Sequence, residues 1–351
     1  MSQPIRVILL GAGFARRVQG PAFARHPDYR LVGLASARLE SARAAASELG
    51  VQHASDDWRR LLEEVECDLV SVVTPPSLHH PMARRALELG RDLLLEKPAA
   101  MDAAQVEDLL ALAGSRGRVH ALNHEYRWVP ARAFARELAR RGEIGRVIRF
   151  VARSHYEFFS RQRGMRWGWL CDAAAGGGMW GAIGSHLVDY AQWVMGPARA
   201  VTARMETQVA ARPDAAGLER AVTADDGFIV QADFEGGATG LFEGSAAVAH
   251  RDDVFELHGE AGTLVIENDV LYRLAPGKPR EAVAVEPAFE IARHGADARL
   301  DPCYALLTAL AARVRDRGEF RPSLADGLAT QRVLDAARAS HAQGRRAEVP
   351  R

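Results

Sequence analysis

The first 125 residues alternate short apolar runs with longer mixed segments. The apolar runs lie at 5–11, 31–36, 69–74, 93–95 and 120–123, and each predicts a buried strand. The segments between them predict helices near 17–26, 40–49, 81–89 and 103–113. A strand–helix alternation of this kind is typical of a doubly wound parallel sheet, the architecture of a Rossmann domain.

The pattern changes after about residue 125, where longer segments alternate apolar and polar positions between glycine-rich turns. These segments predict strands at 147–155, 199–208, 227–234, 239–245, 254–258, 263–267 and 270–273, with helices at 130–141, 302–316 and 324–342. The second half is therefore expected to be an α+β domain with a large, mostly antiparallel open sheet. A chain of 351 residues accommodates two cores, and we predict domains at 1–125 and 126–351, the last helices being free to pack back on the first.

A glycine turn closes the first predicted strand. Gly11 and Gly13 end that strand, and Phe14 and Ala15 open the helix that follows. The N–H groups at such a helix N-terminus bind a pyrophosphate that approaches the glycine backbone. We therefore predict that Gly11, Gly13, Phe14 and Ala15 bind a dinucleotide, although Arg16 replaces the usual third glycine.

The end of the second predicted strand bears on the choice of dinucleotide. A carboxylate there would bind the ribose 2′-hydroxyl of NAD, but the chain has Ser36 and Arg38 instead. Arg38 could bind a 2′-phosphate, so the cofactor is predicted to be NADP or NAD, with the balance towards NADP. The alternative is that Arg38 is a solvated residue at a helix start.

Polar residues follow the third and fourth predicted strands, where ligands of open α/β sheets lie. This placement predicts further cofactor contacts from Thr74, Pro75, His79, Glu96 and Lys97. His79 could instead be a helix-cap or surface residue.

The lysine content singles out one residue of that set. The basic residues are almost all arginine, and the chain contains only two lysines, Lys97 and Lys278. Lys278 lies in a Pro/Gly segment, whereas Lys97 follows a buried strand. A lysine retained in such a chain indicates a place where a compact, titratable ammonium is needed.

Motifs along nearly the whole chain resemble the Gfo/Idh/MocA family of NAD(P)-dependent oxidoreductases. The resemblance is carried by Gly11-Ala12-Gly13, Thr74-Pro75 with His79, Glu96-Lys97-Pro98, Asn123 with Tyr126-Arg127, Gly176-Gly177-Gly178, Gly184-Ser185-His186 with Asp189, and Gly259-Glu260-Ala261-Gly262-Thr263. It implies the two domains predicted above, a homodimer or homotetramer packed through the open sheet, and dehydrogenation of sugars, cyclitols or related alcohols.

The resemblance also assigns the catalytic roles to Lys97 and His186. Oxidation of an alcohol needs a group that takes the hydroxyl proton near neutral pH, and histidine suits that role. The family usually carries an aspartate four residues before this histidine, but here the position is Ala182. Asp172 or Asp189 could substitute for the missing carboxylate, and the alternative for His186 is a purely structural histidine.

Five residues are candidates for substrate binding. Tyr126 and Arg127 fall at the predicted domain junction, Trp167 lies in an aromatic and arginine-rich stretch at 156–169, and Ser185 and Asp189 flank the catalytic histidine. The alternatives are an interdomain structural pair for Tyr126 and Arg127, and a subunit interface for the 156–169 stretch.

Composition excludes several classes of function. Lys+Arg and Asp+Glu both number 45, so the basic excess of a nucleic-acid binder is missing. No apolar run is long enough to span a membrane. The three cysteines form no CxxC pair, which favours a cytoplasmic location, and the twelve histidines show no metal-ligand spacing, so no metal is expected.

The sequence thus predicts an NAD(P)-dependent oxidoreductase that transfers hydride between nicotinamide and a small hydroxylated substrate. Ala182 favours one alternative, a non-catalytic sensor or regulatory protein that keeps the dinucleotide site. A second alternative is an enzyme that oxidises and re-reduces its substrate with a cofactor that stays bound.

Overall fold

The computed structural model describes residues 3–160 and 163–351. The chain divides into two compact units. The first contains Met1–Trp128 and Ile291–Leu328, and the second contains Val129–Glu290 and Ala329–Arg351. Among the described residues, no helix combines the length and the apolar character that a membrane span requires.

The first unit is built on a six-stranded parallel sheet. Its strands are β1 (Ile5–Leu10), β2 (Tyr29–Ala35), β3 (His53–Ser55), β4 (Leu69–Val72), β5 (Asp92–Leu95) and β6 (His120–Leu122). Their order in space is β3-β2-β1-β4-β5-β6, and each neighbouring pair is parallel. The predicted doubly wound sheet is confirmed, with the addition of β3, which is too short and too exposed to show an apolar run.

The second unit is built on a larger sheet. Its strands are β7 (Val147–His155), β8 (Ala198–Glu206), β9 (Ala211–Pro213), β10 (Glu219–Ala221), β11 (Gly227–Phe234), β12 (Thr239–Ser245), β13 (Asp252–Gly259), β14 (Thr263–Glu267), β15 (Val270–Leu274), β16 (Glu281–Ala282) and β17 (Ala347–Glu348). The nine-stranded sheet has the order β16-β15-β14-β13-β7-β12-β11-β8-β17, while β9 and β10 form a separate ribbon. Only the β7–β12 pairing is parallel among these described strands, so the predicted mostly antiparallel sheet is confirmed.

The helices, in chain order, are α1 (Gly20–Arg25), α2 (Leu39–Leu49), α3 (Trp58–Glu64), α4 (His79–Glu88), α5 (Ala103–Ser115), α6 (Pro130–Arg140), α7 (Ser185–Met195), α8 (Leu300–Asp316) and α9 (Leu324–Gln343). Two aspartates cap the N-termini of helices α3 and α5. Asp57 accepts hydrogen bonds from the backbone of Arg59 and Arg60 at the start of α3, and Asp102 accepts one from Gln105 at the start of α5. Both satisfy N–H groups that have no partner within the helix.

Apolar side chains cover both faces of the parallel sheet. Because successive residues of a strand point to opposite faces, Val7 and Leu9 join one cluster while Ile8 and Leu10 join the other. Helix α8 belongs to the first cluster, where Leu306 is buried. With the core filled on both sides, the carboxyl ends of the strands are what remains to carry polar chemistry.

In the second unit, aromatic side chains pack helices against one face of the large sheet. Tyr190 of α7 contacts Phe150 of β7 and Phe255 of β13, with ring centroids 5.9 Å and 5.6 Å apart. Ser340 of α9 accepts a hydrogen bond from the backbone of Ala203 in β8. These contacts fix α7 on the sheet.

Candidate active site

The glycine turn of the first unit is closed on one side and open on the other. Gly11 has φ +114°, and a Cβ there would lie 2.3 Å from the carbonyl oxygen of Val73, so only glycine fits. A Cβ on Gly13 would meet nothing within 4 Å. The backbone at Gly13 is therefore accessible from outside, as the approach of a pyrophosphate requires.

The chain leaves this turn through a π-helical turn at Ala15–Gln19 before α1 begins, so the helix predicted at 17–26 starts irregularly. Phe14 precedes that turn and is half-buried, while the Ala15 side chain is buried in the core. Ala15 as a whole residue is 0 % exposed, so its predicted contact with a dinucleotide stays a prediction. Arg16, at the third glycine position, points away to an ion pair with Glu48 of α2.

Strand β2 ends where the adenosine ribose of a dinucleotide is expected to bind in a Rossmann domain. The backbone N–H of Ser36 donates to the carbonyl of Ser55 at 3.0 Å, which fixes the strand end. Arg38 occupies the N-cap of α2 and its side chain is exposed. No carboxylate lies at Ser36, Ala37 or Arg38, the three positions that follow the strand.

A buried polar network lies where β4 and β5 end. Gln19 Nε2 and Asn123 Nδ2 each donate to Glu96 Oε1 at 2.6 Å. Ser71 Oγ donates to Gln19 Oε1 at 2.6 Å, and the Lys97 N–H donates to Glu96 Oε2 at 3.2 Å. Burial raises the pKa of the Glu96 carboxyl.

Glu96, predicted as a cofactor contact, lies inside this network. Its carboxyl is buried and accepts hydrogen bonds from three groups of the protein, one of them the backbone N–H of Lys97. Lys97 itself is half-buried, and its peptide bond to Pro98 is cis.

His79 also differs from its prediction as a cofactor contact. It is 0 % exposed, with Nδ1 2.9 Å from the carbonyl oxygen of Pro98 and Nε2 2.8 Å from that of Thr74. Burial lowers the pKa of His79 to about 4. Its ring thus joins the two segments that carry Thr74 with Pro75 and Lys97, and those residues remain half-buried at the strand ends.

Tyr126 and Arg127, which were predicted to bind substrate, lie in a 3₁₀ turn at Glu125–Trp128. This turn ends the first of the two segments that make up the first unit. Arg127 is buried, and its Nη2 lies 3.1 Å from Asp326 Oδ1. A buried ion pair of this kind agrees with the structural alternative for Arg127, and its assignment as a substrate residue stays a prediction. Tyr126 is half-buried.

In the second unit, the glycine triplet forms a packed turn before the predicted catalytic histidine. Gly178 has φ +108°, and a Cβ there would lie 2.3 Å from Asp225 Oδ1. A Cβ on Gly177 would lie 2.4 Å from the carbonyl oxygen of Trp169. The triplet therefore lets the chain pass a carboxylate and a carbonyl at close range.

Asp225 was not predicted from the sequence. Its Oδ2 accepts a hydrogen bond from the Trp180 N–H at 2.6 Å, at the start of the helical segment that leads into α7. Burial raises the pKa of Asp225 to about 6. No motif marks this aspartate, and the one available signal is its place at the start of an alternating strand segment.

The first turn of α7 carries three of the predicted residues. Ser185, His186 and Asp189 are all buried, and His186 and Asp189, three residues apart, share one face of the helix. Ala182 lies in a π-helical turn at Trp180–Gly184, ahead of α7. Because a π turn is wider than an α turn, the α-helical spacing that relates position 182 to His186 does not hold here.

Trp167 packs on the β9–β10 ribbon. Its Nε1 donates to the carbonyl of Ala221 at 3.0 Å, and the Arg220 guanidinium lies 4.4 Å from its ring centroid. These contacts hold the ring against the ribbon while part of its surface stays exposed, and its assignment as a substrate residue stays a prediction. Arg161, in the same arginine-rich stretch, lies outside the described residues.

No group of described His, Cys, Asp and Glu side chains has the arrangement of a metal site. The predicted catalytic lysine follows β5 in the first unit, and the predicted catalytic histidine lies near the start of α7 in the second. Each unit is held by buried hydrogen bonds of its own.

Both units match models of known protein families. The model described as the oxidoreductase family with an NAD-binding Rossmann fold matches residues 5–124. The GFO/IDH/MocA C-terminal domain model matches residues 133–265.

Known proteins resemble the chain over most of its length. An uncharacterized oxidoreductase of Synechocystis is 27% identical over 99% of this chain and 97% of its own length. Levoglucosan dehydrogenase of Pseudarthrobacter phenanthrenivorans is 29% identical over 75% of this chain and 73% of its own. A solved levoglucosan dehydrogenase in complex with NADH and L-sorbose superposes with a TM-score of 0.91 at 25% identity and covers 100% of both chains.

Proposed function

Because the chain belongs to the Gfo/Idh/MocA oxidoreductase family, we propose that this NAD(P)-dependent oxidoreductase interconverts a secondary hydroxyl and a ketone on a sugar or related polyol. The observation that carries the proposal is the full-length likeness to a levoglucosan dehydrogenase that holds NADH and L-sorbose. The open backbone at Gly13 supports it, since a dinucleotide needs that approach.

The reaction removes a hydride and a proton from one CH–OH group. The nicotinamide dinucleotide takes the hydride when bound, and a protein group must take the proton. We assign the proton to His186, with Lys97 orienting the hydroxyl oxygen. The assignment requires that the two side chains reach the same substrate hydroxyl.

An activity assay with matched variants tests this assignment. NAD or NADP absorbance is followed with levoglucosan, L-sorbose and a panel of aldoses and cyclitols. Lys97→Ala and His186→Ala are expected to lose about 100-fold or more in kcat, with dinucleotide Kd nearly unchanged. Lys278→Ala, which replaces the other lysine of the chain at an exposed position, is the control and is expected to keep full activity. Full activity in both catalytic variants would overturn the assignment.

We further propose that the enzyme prefers NADP, through Arg38. The exposed guanidinium at the end of β2 and the missing carboxylate support this preference. Arg38→Ala is expected to weaken NADPH binding by about tenfold or more and NADH binding little. Arg43→Ala, exposed on the same helix, is the matched control. Equal losses for both dinucleotides would contradict the proposal.

Ala182 supports a second candidate, a regulatory protein that binds the dinucleotide without turnover. In that case wild type binds NADP or NAD but oxidises no member of the panel, and Ala182→Asp gains activity. Solvent deuterium appearing in a substrate without net nicotinamide reduction would instead indicate transient redox use of a bound cofactor.

Several further properties remain predictions. We propose domains at 1–125 and 126–351, with the last helices packing back on the first, a homodimer or homotetramer, and a cytoplasmic location. Light scattering of the purified chain tests the oligomeric state, and a monomer at micromolar concentration would contradict it. Tyr126, Ser185 and Asp189 are proposed to lie near the substrate, a role that alanine variants test through KM.

A further inference from the structure

Gln19 joins the glycine turn to the lysine segment. It ends the π-helical turn that follows Gly13, and it is 0 % exposed. Its amide reaches across to the end of β5, where Nε2 lies 2.6 Å from Glu96 Oε1. A single side chain thus connects the segment proposed to bind the pyrophosphate with the residue that precedes Lys97.

The orientation of this amide is set by a second hydrogen bond. Ser71 Oγ, in the central strand β4, donates to Gln19 Oε1 at 2.6 Å. An ionised Glu96 carboxylate can only accept, so the Gln19 amide nitrogen faces it, and the Gln19 amide oxygen is left to accept from the Ser71 hydroxyl. A shorter or apolar side chain at position 19 would remove the acceptor of the Ser71 hydroxyl and one of the donors to Glu96.

Asn123 completes the arrangement from the other side. Its Nδ2 lies 2.6 Å from the same Glu96 Oε1, and Glu96 Oε2 accepts the Lys97 N–H. Two amides therefore fix one carboxylate oxygen, which leaves the second oxygen directed at the lysine backbone. Hydrogen bonds to a buried carboxylate are among the stronger ones in proteins, and losing one partner leaves a desolvated charge.

We propose that Gln19 and Asn123 are positioning residues, which hold the Glu96 carboxyl so that Lys97 stays in register with the glycine turn. The proposal rests on the proposed function of Lys97. Neither amide touches substrate or cofactor. Their effect is on where the lysine stands relative to a dinucleotide bound at Gly13.

Gln19→Met tests the proposal, because methionine has similar length but no amide. At saturating cofactor and substrate, kcat is expected to fall about tenfold, while dinucleotide Kd changes little. Tyr29→Phe is the matched control. It removes a buried hydrogen bond of the same unit, from the Tyr29 hydroxyl to the Leu307 carbonyl at 2.8 Å, away from the network. It should lower Tm similarly without changing kcat.

A second readout does not depend on turnover. The chain has only two lysines, so limited acetylation followed by peptide mass spectrometry compares Lys97 with the exposed Lys278 in one sample. When Gln19 no longer holds the Glu96 carboxyl, the segment that carries Lys97 is less firmly held, and the half-buried lysine is more accessible to the reagent. The Lys97-to-Lys278 labelling ratio should rise about threefold in Gln19→Met and stay constant in Tyr29→Phe.

Ser71→Ala provides a milder variant if Gln19→Met does not fold, since it removes only the hydroxyl that orients the amide. It should shift kcat and the labelling ratio in the same direction by a smaller factor. Unchanged kcat and an unchanged ratio in both variants would overturn the inference. A wild-type protein without turnover, whose labelling ratio still responds to Gln19, would overturn the proposed function but leave the positioning role standing.

Discussion

Two glycine-rich turns, at 11–13 in the first unit and 176–178 in the second, use glycine for different reasons. Gly11 and Gly178 are alike, since both have positive φ and both would place a Cβ 2.3 Å from an oxygen of the protein. Their neighbours differ. A Cβ on Gly13 would meet open space, whereas one on Gly177 would meet the Trp169 carbonyl.

The comparison separates a glycine with open space beside it from glycines that packing requires. Gly13 is not required by contacts within the folded chain, and the proposed pyrophosphate contact would give it a reason. In the second turn, Gly177 and Gly178 allow close contacts within the protein, and these contacts fix the start of the segment that carries His186. The same residue type in two motifs therefore has two physical causes.

Gly178→Ala is expected to have the largest effect on this contrast. The added methyl both strains a backbone at φ +108° and overlaps the Asp225 carboxylate, so unfolding should cost about 3 kcal/mol less than in wild type. Urea unfolding measures the loss. Gly217→Ala, at φ +84° with nothing within 4 Å, isolates the backbone component and should lose only about 1 kcal/mol. A double variant with Asp225→Ala should recover part of the difference; no recovery would show that the carboxylate is not the obstacle.

Buried titratable groups near the two turns should respond to pH with opposite signs. His79, on the first side, has its pKa lowered to about 4 by burial, from an ordinary value of 6.5. Between pH 4 and pH 6.5, the unfolded chain binds a proton at His79 that the folded chain does not bind. Its contribution to stability is therefore complete above pH 6.5 and lost as pH falls towards 4, by about 3 kcal/mol. Denaturant unfolding of wild type and His79→Gln across this range should show a flatter pH dependence in the variant, and parallel curves would refute it.

Asp225 lies beside Gly178 of the second glycine turn, and burial raises its pKa from 3.8 to about 6. Here the folded chain holds the proton more tightly, so the stabilisation is complete below pH 3.8 and lost as pH rises to about 6. The free energy of unfolding of Asp225→Asn, measured relative to wild type, should rise by about 3 kcal/mol over that interval and level off above it. A relative stability that does not change with pH would mean that the carboxyl is better solvated than the structure indicates.

The sequence predicted the elements with long apolar runs and missed those without them. The strands at Leu69–Val72 and Asp92–Leu95 have four buried residues each, and their leucines and valines form the apolar runs that predicted them. Strand His53–Ser55 and the ribbon at Ala211–Pro213 and Glu219–Ala221 are short and largely exposed, so no period marks them. The parallel topology followed from the alternation of the long runs.

Site residues were predictable by type and place but not by orientation. Glycine, lysine and histidine motifs located the strand ends correctly, yet His79 and Glu96 turn inward to backbone and amide partners. Trp167 turns to the missed ribbon. Asp225 belongs to no motif, and its role comes from a backbone N–H brought close by tertiary packing. Such choices depend on contacts between distant segments, which a pattern of hydrophobic positions does not contain.

Gly13→Ala should change the fold least and the ligand site most. Because the methyl would point into open space, the free energy of unfolding should stay within about 0.5 kcal/mol of wild type. Gly236→Ala is the control, since it too would meet nothing within 4 Å and lies in an exposed turn. If a pyrophosphate approaches the backbone at Gly13, the same methyl stands between them, and calorimetry should show NADPH binding weakened by about tenfold in Gly13→Ala alone. Equal affinity in the two variants would place the dinucleotide elsewhere, and the open side of the first turn would then lose its explanation.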